Sequence, residues 1–170
     1  MNRKLVLIIS LFISTYCLGQ NPNAGSTDYD TIPNSQIIVG GYPLLSSKTE
    51  LSKLFKRADS ITRDTSGMGD CVTTKLYIKK SIIYFCDTTF DEFELKDNSL
   101  TLSIKGIRYK VGDNADNLKK YYAKWYAKRN KPNNNETDVT IYNYTDYVQL
   151  RFILNNKGII TCIGFYVDNS

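Results

Sequence analysis

Three groups of residues carry enough polar chemistry to be weighed as sites. Asp91, Glu92 and Glu94 form the densest acidic group, and paired carboxylates are the equipment of glycoside hydrolysis. On a strand Asp91 and Glu92 point to opposite faces and Glu94 returns to the face of Glu92, so a catalytic pair would need a carboxylate from another segment. The expected role of the group is a solvated hairpin face. Asp113, Asn114 and Asp116 offer oxygen ligands of the kind calcium takes, but they lack the spaced pattern of a calcium loop. Capping of a following helix accounts for them.

Tyrosine supplies the third group. Of thirteen tyrosines, Tyr142, Tyr144 and Tyr147 cluster near the C-terminal end, and Tyr121, Tyr122, Trp125 and Tyr126 precede them. Such rings bury large area while keeping a polar handle, which suits protein interfaces and carbohydrate surfaces. Tyr142 and Tyr144 alternate with Ile141 and Asn143, so both stand on one face of their strand. If Ile141 faces the core, they face outward, and Tyr142, Tyr144 and Tyr147 are the candidate binding residues.

Among its 170 residues the chain has no histidine. That excludes Ser-His-Asp and Cys-His catalysis, the HExxH motif and Cys/His zinc sites, and no cofactor or metal is expected. The formal charge of +5 is spread among interleaved acids, so nucleic acid is not an expected partner.

Export is the firmest expectation. Asn2, Arg3 and Lys4 precede the apolar run Leu5 to Ile13, and Ser14 to Gly19 hold a cleavage site, so residues 1–19 read as a signal peptide. The run is too short to span a bilayer. Lipidation at Cys17 is the rival reading, opposed by Tyr16, which stands where lipoprotein signals resemble one another in having Gly or Ala. Removing residues 1–19 leaves 151 residues with a formal charge of +3, since Arg3 and Lys4 leave and no acid does. The product is expected in the periplasm or outside the cell. Three cysteines then remain. Cys71 with Cys86 is the first choice of disulfide, because a hairpin turning at Lys79 and Lys80 brings them together; Cys86 with Cys162, or three free thiols, are alternatives.

These groups need elements to hold them. Residues 20–36 are polar and rich in turn formers, which predicts a flexible N-terminal segment. Ile37 to Val39 predicts a strand stopped by Gly40, Gly41 and Pro43. Ser47-Lys48-Thr49-Glu50 has the form of a capping box, and Leu51, Leu54, Phe55 and Ala58 follow at helical spacing. Cys71 to Ile78 and Ser81 to Cys86 predict a hairpin. A second is expected about Asp97-Asn98, with Leu95 opposite Leu100 and Phe93 opposite Leu102. Ile107 to Val111 predicts another strand, then a helix from Ala115 to Lys128 with Leu118, Tyr122 and Trp125 on one face. Asn130 to Asp138 reads as a polar loop, and strands follow at Val139 to Tyr144, Val148 to Leu154 and Ile159 to Val167.

The expected fold is therefore α+β, two helices packed on antiparallel sheet. Val39-Gly40 matches Val111-Gly112, and Leu51 to Phe55 matches Leu118 to Tyr122, which suggests a tandem repeat with a first unit at 37–106 and a second at 107–170. A Val-Gly ending, a capped helix and antiparallel strands in tandem, with V-G-D-N-A-D-N-L at Val111 to Leu118 and N-K-G-I-I at Asn156 to Ile160, resemble the β-lactamase inhibitor protein fold and envelope lipoproteins of the SmpA/OmlA type. That resemblance implies an exported, non-catalytic protein that binds another protein across an aromatic-rich sheet, in an inhibitor, immunity or assembly role. A carbohydrate-binding or cell-surface structural module, with a glycan as its partner, is the alternative.

Overall fold

The computed structural model describes residues 32–44, 46, 48–65, 71–87, 89–143 and 148–167. The expected export signal, Ser47 of the capping box, and Tyr144 and Tyr147 lie outside the described residues. In chain order the elements are β1 (Ile37–Val39), β2 (Tyr42–Pro43), α1 (Lys48–Phe55), β3 (Ser60–Asp64), β4 (Thr73–Ile78), β5 (Ser81–Cys86) and β6 (Thr89–Leu95). They continue with β7 (Leu102–Ile104), β8 (Ile107–Tyr109), α2 (Asp116–Tyr121), α3 (Ala123–Ala127), β9 (Asn130–Asn133), β10 (Glu136–Asn143), β11 (Val148–Asn155) and β12 (Ile160–Val167). The fold is α+β, with open antiparallel sheets.

One sheet has four strands in the order β2-β1-β7-β8, and the other has eight in the order β3-β4-β5-β6-β12-β11-β10-β9. A hairpin, a helical segment and a four-stranded meander occur in that order twice, from β1 to β6 and from β7 to β12. The hairpins share their chemistry. Gly40 and Gly41 lie at φ 60° and 93°, and Lys105 and Gly106 at φ 50° and 82°, the paired left-handed residues of a two-residue turn whose twist matches its strands. In the topology, Val39-Gly40-Gly41 thus corresponds to Ile104-Lys105-Gly106 and not to Val111-Gly112. The expected boundary between residues 106 and 107 falls within the β7–β8 hairpin, where the turn passes into β8.

Alternation explains the layering. Leu76 and Ile78, Ile83 and Phe85, Phe93 and Leu95, Val139 and Ile141, Leu150 and Phe152, and Ile163 and Phe165 turn one face of the large sheet inward. The small sheet covers it with Ile37, Val39, Leu102, Ile104 and Tyr109, and the helices add Leu51, Leu54, Leu118, Tyr122 and Trp125 to the same core. Burying one such side chain fully is worth roughly 1.5–3 kcal/mol, and a meander alone would leave its inner face in water.

Several expectations need correction. Phe93 and Leu95 do not pair with Leu102 and Leu100: β6 pairs with β5 and β12, and β7 with β1 and β8. The Asp97 carboxylate accepts from Lys80 N and Ser99 N at 2.6 and 2.7 Å, which ends β6 and carries the chain out of the large sheet. Leu100, Leu102 and Ile104 are buried as expected, but against the small sheet's side of the core.

The expected helix from 115 to 128 is two helices broken at Tyr122, whose φ and ψ are −129° and 41°. Its cap is Ala115 without a side-chain bond, because Asp113 instead accepts from Lys110 N at 2.9 Å and Asn114 bridges to Ile159. The loop expected from Asn130 to Asp138 contains β9 and the start of β10. Both β9 and β3 are edge strands with every residue exposed, so neither shows the apolar alternation by which a strand is read.

Candidate functional site

The pairings fix which side chains stand in line on the outer face of the large sheet, which none of the described elements covers. Ser60, Tyr77, Ile82, Glu94, Gly164, Arg151 and Thr140 are successive partners across seven strands. Next to that row stand Lys75 and Tyr84 on one side of the centre, and Cys162, Ile153 and Asp138 on the other.

Glu94 occupies the middle. Its carboxylate pairs with Lys96 Nζ at 2.6 Å and accepts from Tyr166 Oη at 3.1 Å. Tyr166 reaches it by lying across Gly164, where a Cβ would stand 2.5 Å from Tyr166 Oη and 2.7 Å from Cζ. Glycine is needed here for the close approach of a ring, its backbone not being left-handed. The Lys96 hydrogen bond holds the Glu94 carboxyl below its ordinary range against the effect of partial burial, and the same bond raises the Lys96 ammonium. Burial, then the Glu94 charge, pushes up the phenols of Tyr166 and Tyr84 and the thiol of Cys162.

Two further contacts order this surface. Arg151 Nε donates to Asp138 Oδ2 at 2.6 Å, and Thr140 Oγ1 donates to Asp138 Oδ1 at 3.1 Å. Lys75 Nζ lies 5.6 Å from the centroid of the Tyr84 ring, within cation–π range. Glu92 is raised by burial and then by the charges of Asp91 and Glu94. At neutral pH the face therefore presents fixed charges of both signs, neutral phenols, a neutral thiol and the apolar Ile82 and Ile153.

Of the residues singled out in the sequence, those that are described stand on several different elements. Tyr142 lies toward the end of β10, 36% exposed, with its ring centroid 5.7 Å from that of Trp125. Tyr122 and Trp125 belong to the core. Tyr121 and Tyr126 are half-buried beneath cations, with Lys120 Nζ 5.0 Å and Arg129 Cζ 4.9 Å from their ring centroids. Within the acidic group, Glu94 is engaged by Lys96 and Tyr166. Asp116 pairs with Lys119 at 3.1 Å. Cys71 and Cys86 are joined in a disulfide, their Cα atoms 5.5 Å apart, and Cys162 is free.

The Glu94–Tyr166 contact spans 72 positions in the chain, so spacing alone could not reveal it. The available signal was the pair of alternating strings Glu94-Leu95-Lys96 and Gly164-Phe165-Tyr166, each with an apolar residue flanked by partners on the opposite face. Comparison of the chain with models of known families, with curated proteins and with solved structures finds no match.

Proposed function

We propose that this is an exported, non-catalytic binding protein of the cell envelope, which recognises another protein in an inhibitory, immunity or assembly role. The observation that carries the reading is the uncovered face of the eight-stranded sheet, where Tyr77, Ile82, Tyr84, Ile153 and Tyr166 surround ion pairs of both signs. Tyrosine and arginine side chains, of which this face holds Tyr77, Tyr84, Tyr166 and Arg151, are enriched among the residues that carry protein recognition. The mixture of Lys75, Lys96 and Arg151 with Glu94 and Asp138 favours a partner that also carries both signs. Tyr142 lies toward the margin of this patch. Export is supported by Arg3 and Lys4 ahead of the apolar run from Leu5 to Ile13, and the Cys71–Cys86 disulfide is compatible with an oxidising compartment.

The test uses residues 20–170 as bait against proteins of the native envelope, followed by affinity measurement with whichever partner is identified. Ile82→Glu combined with Ile153→Glu should abolish that binding, while Tyr142→Ala should weaken it modestly. Unchanged affinity in a folded double variant would remove the face from consideration. Binding to peptidoglycan or a glycan array, with no protein partner, would replace the reading by the carbohydrate module.

A further inference from the structure

The outer side of the four-stranded sheet holds a cleft of about 480 Å³ that plays no part in the reading above. Arg108 on β8, Ser103 on β7 and Ile38 on β1 stand in one row across that sheet, since Ser103 is the partner of both others. Arg57 approaches from just beyond α1, and Ser99 and Thr101 come from the segment leading into β7. Among its described lining residues none is acidic, and Ile38 is the sole aliphatic side chain.

Its two guanidinium groups are held differently. Arg57 Nη1 donates to Gly40 O at 3.1 Å and Nη2 to Ser99 O at 3.5 Å. Backbone carbonyls orient the group without neutralising it, and its planar fork retains further N–H donors. Among the described residues Arg108 has no hydrogen bond or ion pair, and the hydroxyls of Thr101 and Ser103 have no partner. The neighbouring carboxylate, Asp97, already accepts from Lys80 N and Ser99 N. Two cations and two unengaged hydroxyls around one polar cleft leave more donors than Gly40 O and Ser99 O accept.

We propose that this cleft binds a tetrahedral oxyanion, a phosphate or sulfate monoester carried on a small polar body such as a sugar. Guanidinium forks match the paired oxygens of such esters, and charge-assisted bonds of this kind are the stronger class. The hydroxyls of Thr101 and Ser103 supply further donors. The cleft is within the size range of small-molecule sites, so it admits more than a bare ion, and its lining favours a hydroxylated carrier over an apolar one.

The test titrates residues 20–170 with glucose 6-phosphate, glucose 6-sulfate and glucose, followed by calorimetry and by amide chemical shifts. At least one ester should bind saturably, with shifts centred on residues 99–108, and glucose should not. Preference between the esters identifies which oxyanion the site takes. Arg108→Gln, on an exposed side chain, should weaken ester binding about tenfold or more through loss of a charge-assisted contact. Arg57→Lys should weaken it as well, with an urea melt confirming that the variant is folded. Absence of saturable binding by either ester would overturn the proposal, and so would undiminished binding in both folded variants.

Discussion

Gly164→Ala tests the centre of the open face. The added Cβ would stand 2.7 Å from Tyr166 Cζ and 2.5 Å from its Oη, so the ring must leave its position over the strand. The displaced atoms belong to the far end of a side chain, and no backbone shift is required. Leaving breaks the hydrogen bond to Glu94, whose side chain is 26% exposed, so the loss belongs near the lower end of the about 1.5–3 kcal/mol typical of bonds to charged groups. Against it, Ala in a strand interior is favoured over Gly by roughly 0.5–1 kcal/mol of backbone entropy. With the ring's lost packing included, the substitution should cost about 1–2 kcal/mol. In a Tyr166→Ala background the three atoms that crowd this Cβ most closely are gone, and the same change should stabilise by roughly 0.5–1 kcal/mol. The sign therefore reverses. Urea unfolding of the four proteins, followed by Trp125 fluorescence, should give a coupling energy of about 2 kcal/mol. Additive effects, with coupling within about 0.5 kcal/mol of zero, would refute the account of Gly164 as a seat for the ring.

Three other outcomes follow from the same structure. Because Glu94 is held below the ordinary glutamate value of 4.5, the folded chain binds its proton more weakly than the unfolded chain. That stabilisation is complete above the ordinary value and is lost as pH falls through the lower folded value, so Glu94→Gln should flatten the acid limb of stability measured by urea unfolding from about pH 5 downward. Cys71→Ser with Cys86→Ser opens a loop closed across a separation of 15 residues and should lower unfolding free energy by about 3 kcal/mol, read from the same denaturation curves. Cys162, raised by burial, should react with a thiol reagent far more slowly in the native protein than in the urea-unfolded chain, and equal rates would contradict its placement.

How much could be read in advance depended on whether a segment's neighbours in space were also its neighbours in sequence. The β4–β5 hairpin was legible because alternation runs unbroken on both sides of Lys79-Lys80, and its turn is satisfied by Asp59 and Asp97. α1 was legible from Leu51, Leu54 and Phe55. The expected pairing of Phe93 with Leu102 had the right faces but the wrong partners, since apolar alternation reports that a strand is buried and not against what. Edge strands β3 and β9 expose every residue, so the signal was absent from them altogether. The second helix was overestimated because its apolar face continues through Tyr122 while its backbone does not. Density of tyrosine along the chain marks Tyr142 at the end of β10, and the register sets it in line with Gln149 and Tyr166, whereas Tyr84 joins that face from a distant strand.

The position of that cluster is a consequence of the strand order. In the sheet the two meanders join where β6 pairs with β12, through Phe93 with Phe165, Glu94 with Gly164 and Leu95 with Ile163. Beneath this seam Phe93 and Phe165 stack with centroids 5.5 Å apart at 14°, and above it Tyr166 crosses to Glu94. Backbone pairing, aromatic stacking and the hydrogen bond to the carboxylate thus join the same short stretch from three sides. A partner that packs on Tyr166 and Ile82 presses on the joint between the two halves, so its binding energy adds to the stability of that joint. Ligation there should protect the amides of residues 93–95 and 163–165 from exchange more than those of the outer strands, whereas a ligand in the Arg57–Arg108 cleft should protect residues 99–108. The two patterns separate the two sites within one measurement.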